Sequence, residues 1–275
     1  MAITAADVSK LRKMTGAGMM DCKKALQEAD GDFDKAVEEI RKKGMAVANK
    51  RADREATEGA VLSKVTDDAK KGALVVLNCE TDFVAKNESF VALTQSILDL
   101  GLKRGAKNLS ELNELELDGV AVKDVITEQI GVIGEKLELA AFEVIEAERV
   151  VAYIHPGNKL ATIVGFNQPD VDDQMAKDVA MQVAAMSPIA IDSDSVPQDV
   201  IDKELEIGKE MARNEGKPEA MLEKIAQGRL GKFFKESTLM QQAFVKDNKM
   251  SIQQYLQSAN KELKVTAFER YSLNN

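Results

Sequence analysis

The chain is 275 residues long and 44% hydrophobic, enough to bury a sizeable core as one large or two modest domains, and too apolar for a disordered polymer. Its formal net charge of -9 weighs against a nucleic-acid backbone as partner, because that binding needs clustered Lys and Arg. No apolar run nears the ~20 residues that cross a bilayer, and Met1-Ala2-Ile3-Thr4-Ala5-Ala6-Asp7 lacks the basic and apolar parts of a signal sequence, so the expected location is cytoplasmic unless a presequence has been removed.

The N-terminus predicts a compact helical unit. Thr4-Ala5-Ala6-Asp7 has the spacing of a capping box, with Asp in place of Glu or Gln, and Val8, Leu11 and Met14 mark one helical face. Thr15-Gly16-Ala17-Gly18 breaks that helix. A second runs from Met19, Met20 or Asp21 to Ala29 with Cys22, Ala25 and Leu26 inward. Two adjacent methionines at a helix start cannot both face one core, so at least one is exposed, either as an adaptable binding surface or as a cover for the junction. Asp32 caps a third helix carrying Phe33, Ala36, Val37 and Ile40, and Gly44 is its expected stop. From Gly44 to Gly59 the charged residues Lys50, Arg51, Asp53, Arg54, Glu55 and Glu58 mark a partly helical linker.

The remainder reads as α+β. Residues 59–65 and 73–77 are two short apolar runs around the turn-forming stretch 67–72, a β-hairpin signature. Next comes Asn78-Cys79-Glu80-Thr81-Asp82-Phe83-Val84-Ala85-Lys86-Asn87, leading into a helix with Phe90, Leu93, Ile97, Leu98 and Leu100 on one face and Asn87 or Ser89 as cap. The connection therefore holds Asp82 and Phe83. A large ring beside an acid in a loop is either a staple for the helix start, which the local pattern favours, or a probe offered to a partner.

An acidic loop at 111–118 and a helix over 120–137 precede Leu137-Glu138-Leu139-Ala140-Ala141-Phe142-Glu143, which the segment Leu263-Lys264-Val265-Thr266-Ala267-Phe268-Glu269 echoes. A second hairpin, 150–154 with 160–164, is likewise followed by a helix over 172–186. Duplicated α+β core subdomains account for both correspondences, with about 40 extra residues in the second copy. That surplus includes an αα-hairpin: Val200, Ile201, Leu205, Ile207 and Met211 on one arm, Met221, Leu222, Ile225, Ala226 and Leu230 on the other, around Asn214-Glu215-Gly216-Lys217-Pro218. Projecting from its core, the hairpin between Val200 and Leu230 presents an apolar seam for a homodimer contact; the alternative is that it folds back. The expected division is 1–54 (helical unit and linker), 55–148 (first core subdomain), 149–197 and 231–275 (two parts of the second) and 198–230 (helical-hairpin insert).

Residues able to carry covalent chemistry are scarce. Cys22 and Cys79 lie outside any C-x-x-C, and the single His155 precedes the turn Pro156-Gly157-Asn158, so a thiolate zinc site or a two-histidine metal motif is not expected. No phosphate-binding glycine motif is present. The chain is expected to be no enzyme and to need no cofactor; the rivals are a thiol enzyme using Cys79 beside Asp82 and a plain helical scaffold.

Thr15-Gly16-Ala17-Gly18-Met19-Met20-Asp21-Cys22-Lys23-Lys24-Ala25-Leu26, followed by Asn78-Cys79-Glu80-Thr81-Asp82-Phe83-Val84-Ala85-Lys86, closely resembles the two signatures of bacterial elongation factor Ts in order and spacing. The resemblance extends over nearly the whole chain and implies a three-helix ubiquitin-associated-like domain, a duplicated α+β core and a helical-hairpin dimerisation insert. It implies a guanine-nucleotide exchange factor that binds elongation factor Tu during translation, ejects GDP and lets GTP enter. Thr81, Asp82, Phe83 and Val84 would then form the loop that dislocates the partner's magnesium, with Met19, Met20 and His155 on further contact surfaces. Longer members carry an extra C-terminal helical module that has no counterpart after Glu269-Arg270-Tyr271-Ser272-Leu273-Asn274-Asn275, so contacts assigned to it are not carried over.

Overall fold

The computed structural model describes residues 3–274; Met1, Ala2 and Asn275, which belong to the first and last predicted segments, lie outside the described residues. Helix α1 (Ala5–Thr15) starts at the expected box: Thr4 Oγ1 accepts from Asp7 N–H at 3.2 Å, and Asp7 Oδ2 accepts from Thr4 N–H at 2.9 Å. Helix α2 (Met19–Glu28) turns Cys22, Ala25 and Leu26 inward against Val8 and Leu11, and α3 (Phe33–Arg51), capped by Asp32, closes this small core with Ala36.

Strands β1 (Glu58–Val65) and β2 (Lys71–Cys79) form an antiparallel hairpin in which Val61 faces Val76. The one-turn helix α4 (Asp82–Ala85) and helix α5 (Glu88–Arg104) follow, the latter capped by Asn87. Helix α6 (Leu109–Glu114) takes up much of the predicted acidic loop and leads into β3 (Glu116–Leu117) and β4 (Val120–Ala121), a tight hairpin whose second strand occupies the first residues of the helix expected over 120–137. Asp118 and Gly119 both have positive φ there, 53° and 83°, as a two-residue Asp-Gly turn requires. Helix α7 (Val122–Ile133) then brings the chain to β5 (Leu137–Glu146), which pairs with the free edge of β2.

The second half repeats this pairing. Strands β6 (Arg149–Ile154) and β7 (Leu160–Phe166) form a hairpin, helix α8 (Asp173–Met186) follows, and the last strand, β10, returns to the far edge of β7. Between α8 and that strand, which spans Val265–Ser272, lie the αα-hairpin α9 (Gln198–Asn214) and α10 (Glu219–Ser237), a short ribbon β8 (Ala243–Phe244) and β9 (Asp247–Ser251), and helix α11 (Ile252–Ala259). Helix α10 runs past the expected end at Leu230 to Ser237. The α9–α10 seam buries Ala212, Leu222 and Leu230 and is closest where Gly208 meets Ala226, a Cβ on Gly208 lying 3.2 Å from Ala226 Cβ, while Ile207, Met211 and Met221 face solvent.

The two sheets pack face to face. Val61, Leu74 and Val76 of the first meet Val150, Ala161 and Ile163 of the second. The outer face of the first sheet is covered by Phe90, Ile97, Leu112, Ile126 and Ile130 from α5, α6 and α7, and that of the second by Val179, Val183, Ile252 and Leu256 from α8 and α11. Strand β2 therefore has both faces buried, which explains why it reads as a continuous apolar run.

Helix α3 does not stop at Gly44. A stop needs a left-handed residue there, and Gly44 instead remains helical because the missing side chain serves a helix crossing. A Cβ on Gly131 of α7 would stand 2.5 Å from Gly44 Cα, and Arg41 pairs with Glu128 at 2.6 Å beside the crossing. Val47 and Ala48 then reach the core of the first sheet. Replacing Gly131 by Ala is expected to lower stability by about 1–3 kcal/mol despite its better helix propensity. Gly228 of α10 has nothing within 4 Å of its added Cβ, so Gly228→Ala should instead raise stability by about 0.5–1 kcal/mol. Urea unfolding midpoints of the two variants check both signs.

Candidate functional site

Strand β2 ends at Cys79, whose side chain is fully buried, and the next residues leave the sheet at one end of both cores. Thr81 caps α4 by accepting from Val84 N–H at 3.4 Å. Successive residues in this turn are about 100° apart. Val84 and Ala85 pack into the first core, and Phe83 is carried to nearly the opposite side, where it is 84% exposed. The staple reading of Phe83 is thus overturned: Val84 and Ala85 anchor the chain, and the ring stands in solvent. Asp82 pairs with Lys86 at 2.6 Å, and this hydrogen bond lowers the Asp82 pKa and raises that of Lys86.

Two further carboxylates stand behind the turn, and sequence reasoning missed both roles. Glu135 accepts from Thr81 N–H at 3.0 Å and from its hydroxyl at 2.7 Å. Glu80 accepts from Arg51 at 2.6 Å, Arg54 at 3.0 Å and Lys136 N–H at 2.6 Å. Burial by itself would raise the Glu80 carboxyl, but the hydrogen bonds from Lys136 N–H, Arg51 and Arg54 hold it down at about 2. Glu80 lies inside the quoted motif and its position was open to notice; Glu135 has no local signal, because its partner is distant in the chain.

Cys79 is pushed up to about 12 by burial, then by the nearby Glu135 charge, and its Sγ donates to Thr81 O at 3.2 Å. It is a protonated thiol at neutral pH, with no thiolate to offer as a nucleophile. Cys22 is also buried and free.

Met19 and Met20 are both exposed, at 48% and 73%, at the first turn of α2, so neither is buried in the helical unit's core. His155 is exposed in the β6–β7 turn, its Nδ1 3.0 Å from the Tyr153 hydroxyl. That turn lies along β1, where Asn158 O accepts from Val61 N–H at 2.7 Å and Lys159 pairs with Glu58 at 2.7 Å. Glu58 lies opposite Cys79 in the first hairpin, so its pair with Lys159 puts the His155 turn and the Phe83 turn at the same end of the molecule. The methionines sit apart, on the helical unit that reaches the Phe83 turn through Arg51, Arg54 and Glu80. Among the described residues no group of three His, Cys, Asp or Glu converges to hold a metal, and no helix is long and apolar enough to cross a membrane.

The Glu80 cluster has a pH signature. Its folded pKa of about 2 lies below the ordinary 4.5, so the stabilisation is complete above about pH 4.5 and is lost as pH falls toward 2. Glu80→Gln is expected to lower stability at pH 7 by roughly 1–3 kcal/mol, allowing for the solvent exposure of Arg54. The gap to the unaltered protein should narrow progressively between pH 4.5 and pH 2 in urea unfolding series; a constant gap would contradict the assignment.

The family model described as Elongation factor TS matches residues 80–275. A protein of Porphyromonas gingivalis is 54% identical over 275 residues, covering 100% of this chain and 99% of its own length. One of Christiangramia forsetii is 52% identical over 272 residues, with 98% of each chain covered, and one of Bacteroides thetaiotaomicron is 43% identical over 330 residues, with 99% of each covered. All three bear the name Elongation factor Ts. With more than half of the sequence matched by the family model and full-length relatives well above 30% identity, the chain belongs to the elongation factor Ts family of translation proteins.

Proposed function

We propose that this protein is the guanine-nucleotide exchange factor of the GTPase elongation factor Tu, binding its GDP-bound form, promoting GDP release and holding the nucleotide-free state until GTP enters. The observation that carries this reading is Phe83, a large apolar ring 84% exposed on a turn fixed by hydrogen bonds in a member of this family. Such a ring is badly placed for its own protein's stability and well placed for insertion into another. Phe83 would enter between elements of the partner near its magnesium and phosphate site, with Asp82 exchanging Lys86 for partner groups. Thr81 would shape the loop as its cap and Val84 would anchor it, so that insertion dislocates the metal and removes charge neutralisation from the phosphates. Met19, Met20 and His155 would supply further contacts.

Exchange is linkage: whatever weakens GDP when the factor is bound weakens the factor equally when GDP is bound. Each tenfold loss of nucleotide affinity needs about 1.4 kcal/mol, whereas burying one Phe supplies roughly 1.5–3 kcal/mol. Phe83 alone could therefore drive one or two decades, and a tightly held nucleotide requires the additional contact surfaces. The protein would act in the cytoplasm by binding alone, as no enzyme and with no cofactor of its own. The exposed Ile207, Met211 and Met221 on the α9–α10 arm favour a homodimer contact through the segment between Val200 and Leu230.

Phe83→Ala is expected to slow factor-stimulated release of a fluorescent GDP by about 10- to 100-fold in stopped flow while the variant keeps its unfolding midpoint. An unchanged release rate would remove the wedge assignment. Met19→Ala should instead raise the factor concentration needed for half-maximal exchange by a few-fold, with the maximal rate nearly kept.

A further inference from the structure

Helix α4 is four residues long, too short to hold its shape in water without outside contacts. Val84 and Ala85 fix one side of it to the core, which leaves the turn free to rock about that anchor unless its N-terminus is also held. The second hold comes from Glu135, at the joint between α7 and β5. Its two oxygens take two different hydrogens of the same residue: Oε1 accepts from the Thr81 hydroxyl at 2.7 Å and Oε2 from the Thr81 N–H at 3.0 Å. With its hydrogen committed to Glu135, Thr81 Oγ1 keeps its lone pairs for Val84 N–H, so one carboxylate orients the cap as well as the backbone. The joint itself is clamped by its next residue. Lys136 N–H donates to Glu80 at 2.6 Å, while Lys136 Nζ donates to the carbonyls of Ala52 and Arg54 at 3.1 and 3.0 Å.

We propose that Glu135 is a positioning residue for nucleotide exchange: it sets the direction in which Phe83 is presented, and the Lys136–Glu80 clamp ties that direction to the end of α3 and so to the docked helical unit. This rests on Phe83 acting as the wedge. Glu135 itself touches no reacting group; it acts through Thr81.

The test uses full-length Glu135→Ala, Glu135→Gln, Phe83→Ala and the Glu135→Ala/Phe83→Ala double variant, with GDP release from elongation factor Tu measured over a range of factor concentrations. Glu135→Ala should lower the maximal release rate by about tenfold while changing the half-maximal concentration less than about twofold. Glu135→Gln should recover most of the rate, since its amide oxygen can accept from Thr81 N–H and its amide hydrogens can donate to Oγ1. In the Phe83→Ala background the same Glu135→Ala change should have almost no further effect, because its action passes through the ring. Amide hydrogen exchange at Thr81 and Val84 should speed up in Glu135→Ala and in the double variant but not in Phe83→Ala.

A multiplicative loss in the double variant, or a normal maximal rate in Glu135→Ala when Phe83→Ala is slow, overturns this inference and leaves the wedge standing. A normal rate in Phe83→Ala removes the wedge and the inference together. If Glu135→Ala fails to fold, Thr81→Val, which keeps the N–H bond and deletes the hydroxyl, takes its place; an unaltered maximal rate there overturns the inference equally.

Discussion

The placement of β2 between two cores is the constraint on which the remaining architecture depends. Ala73, Val75, Leu77 and Cys79 point to the helical side, and Leu74 and Val76 point to the second sheet. A one-residue slip would exchange the two sets, so the register is fixed by both layers at once. The strand's end is fixed with it, and Glu80, Thr81 and α4 start from a point that cannot drift. Under the proposed function, an apolar ring offered from so rigid a base would lose little freedom on burial in a partner, which would preserve the free energy of burial for opening that partner.

The helical unit is not loosely tethered to this core. Gly44 against Gly131, Arg41 with Glu128, and Arg51 and Arg54 on Glu80 dock α3 along its length. The charged stretch after Gly44, whose composition suggested a partly helical linker, is helical to Arg51 and serves as an ion-pair donor. Met19 and Met20 are consequently carried on a body whose orientation relative to the Phe83 turn is set by named contacts.

Local signals were legible. Thr4, Asp32 and Asn87 all act as caps where the sequence pattern put them, and both hairpins and the αα-hairpin follow from periodicity. What escaped depends on partners remote in sequence. Nothing near Gly44 distinguishes a helix stop from a crossing, because the deciding residue is Gly131. Phe83 reads as a staple until a turn of helix turns Val84 and Ala85 inward in its place. Glu135 looks like an ordinary acid at a helix end, and its role exists only once Thr81 is brought to it. Two misses were avoidable: Asp118-Gly119 is a hairpin turn signal, and Ser251 with Gln254 forms a capping box at the start of α11.

The state of Cys79 has a consequence for a cell under peroxide stress. Sulfenic acid formation begins from the thiolate, which burial and the nearby Glu135 charge disfavour at Cys79. The sulfur that sits directly behind the Phe83 turn is also sealed from solvent. Oxidants and electrophiles that disable exposed, acidic cysteines elsewhere should therefore leave this loop chemically intact, and protein synthesis would not lose its elongation cycle at this point.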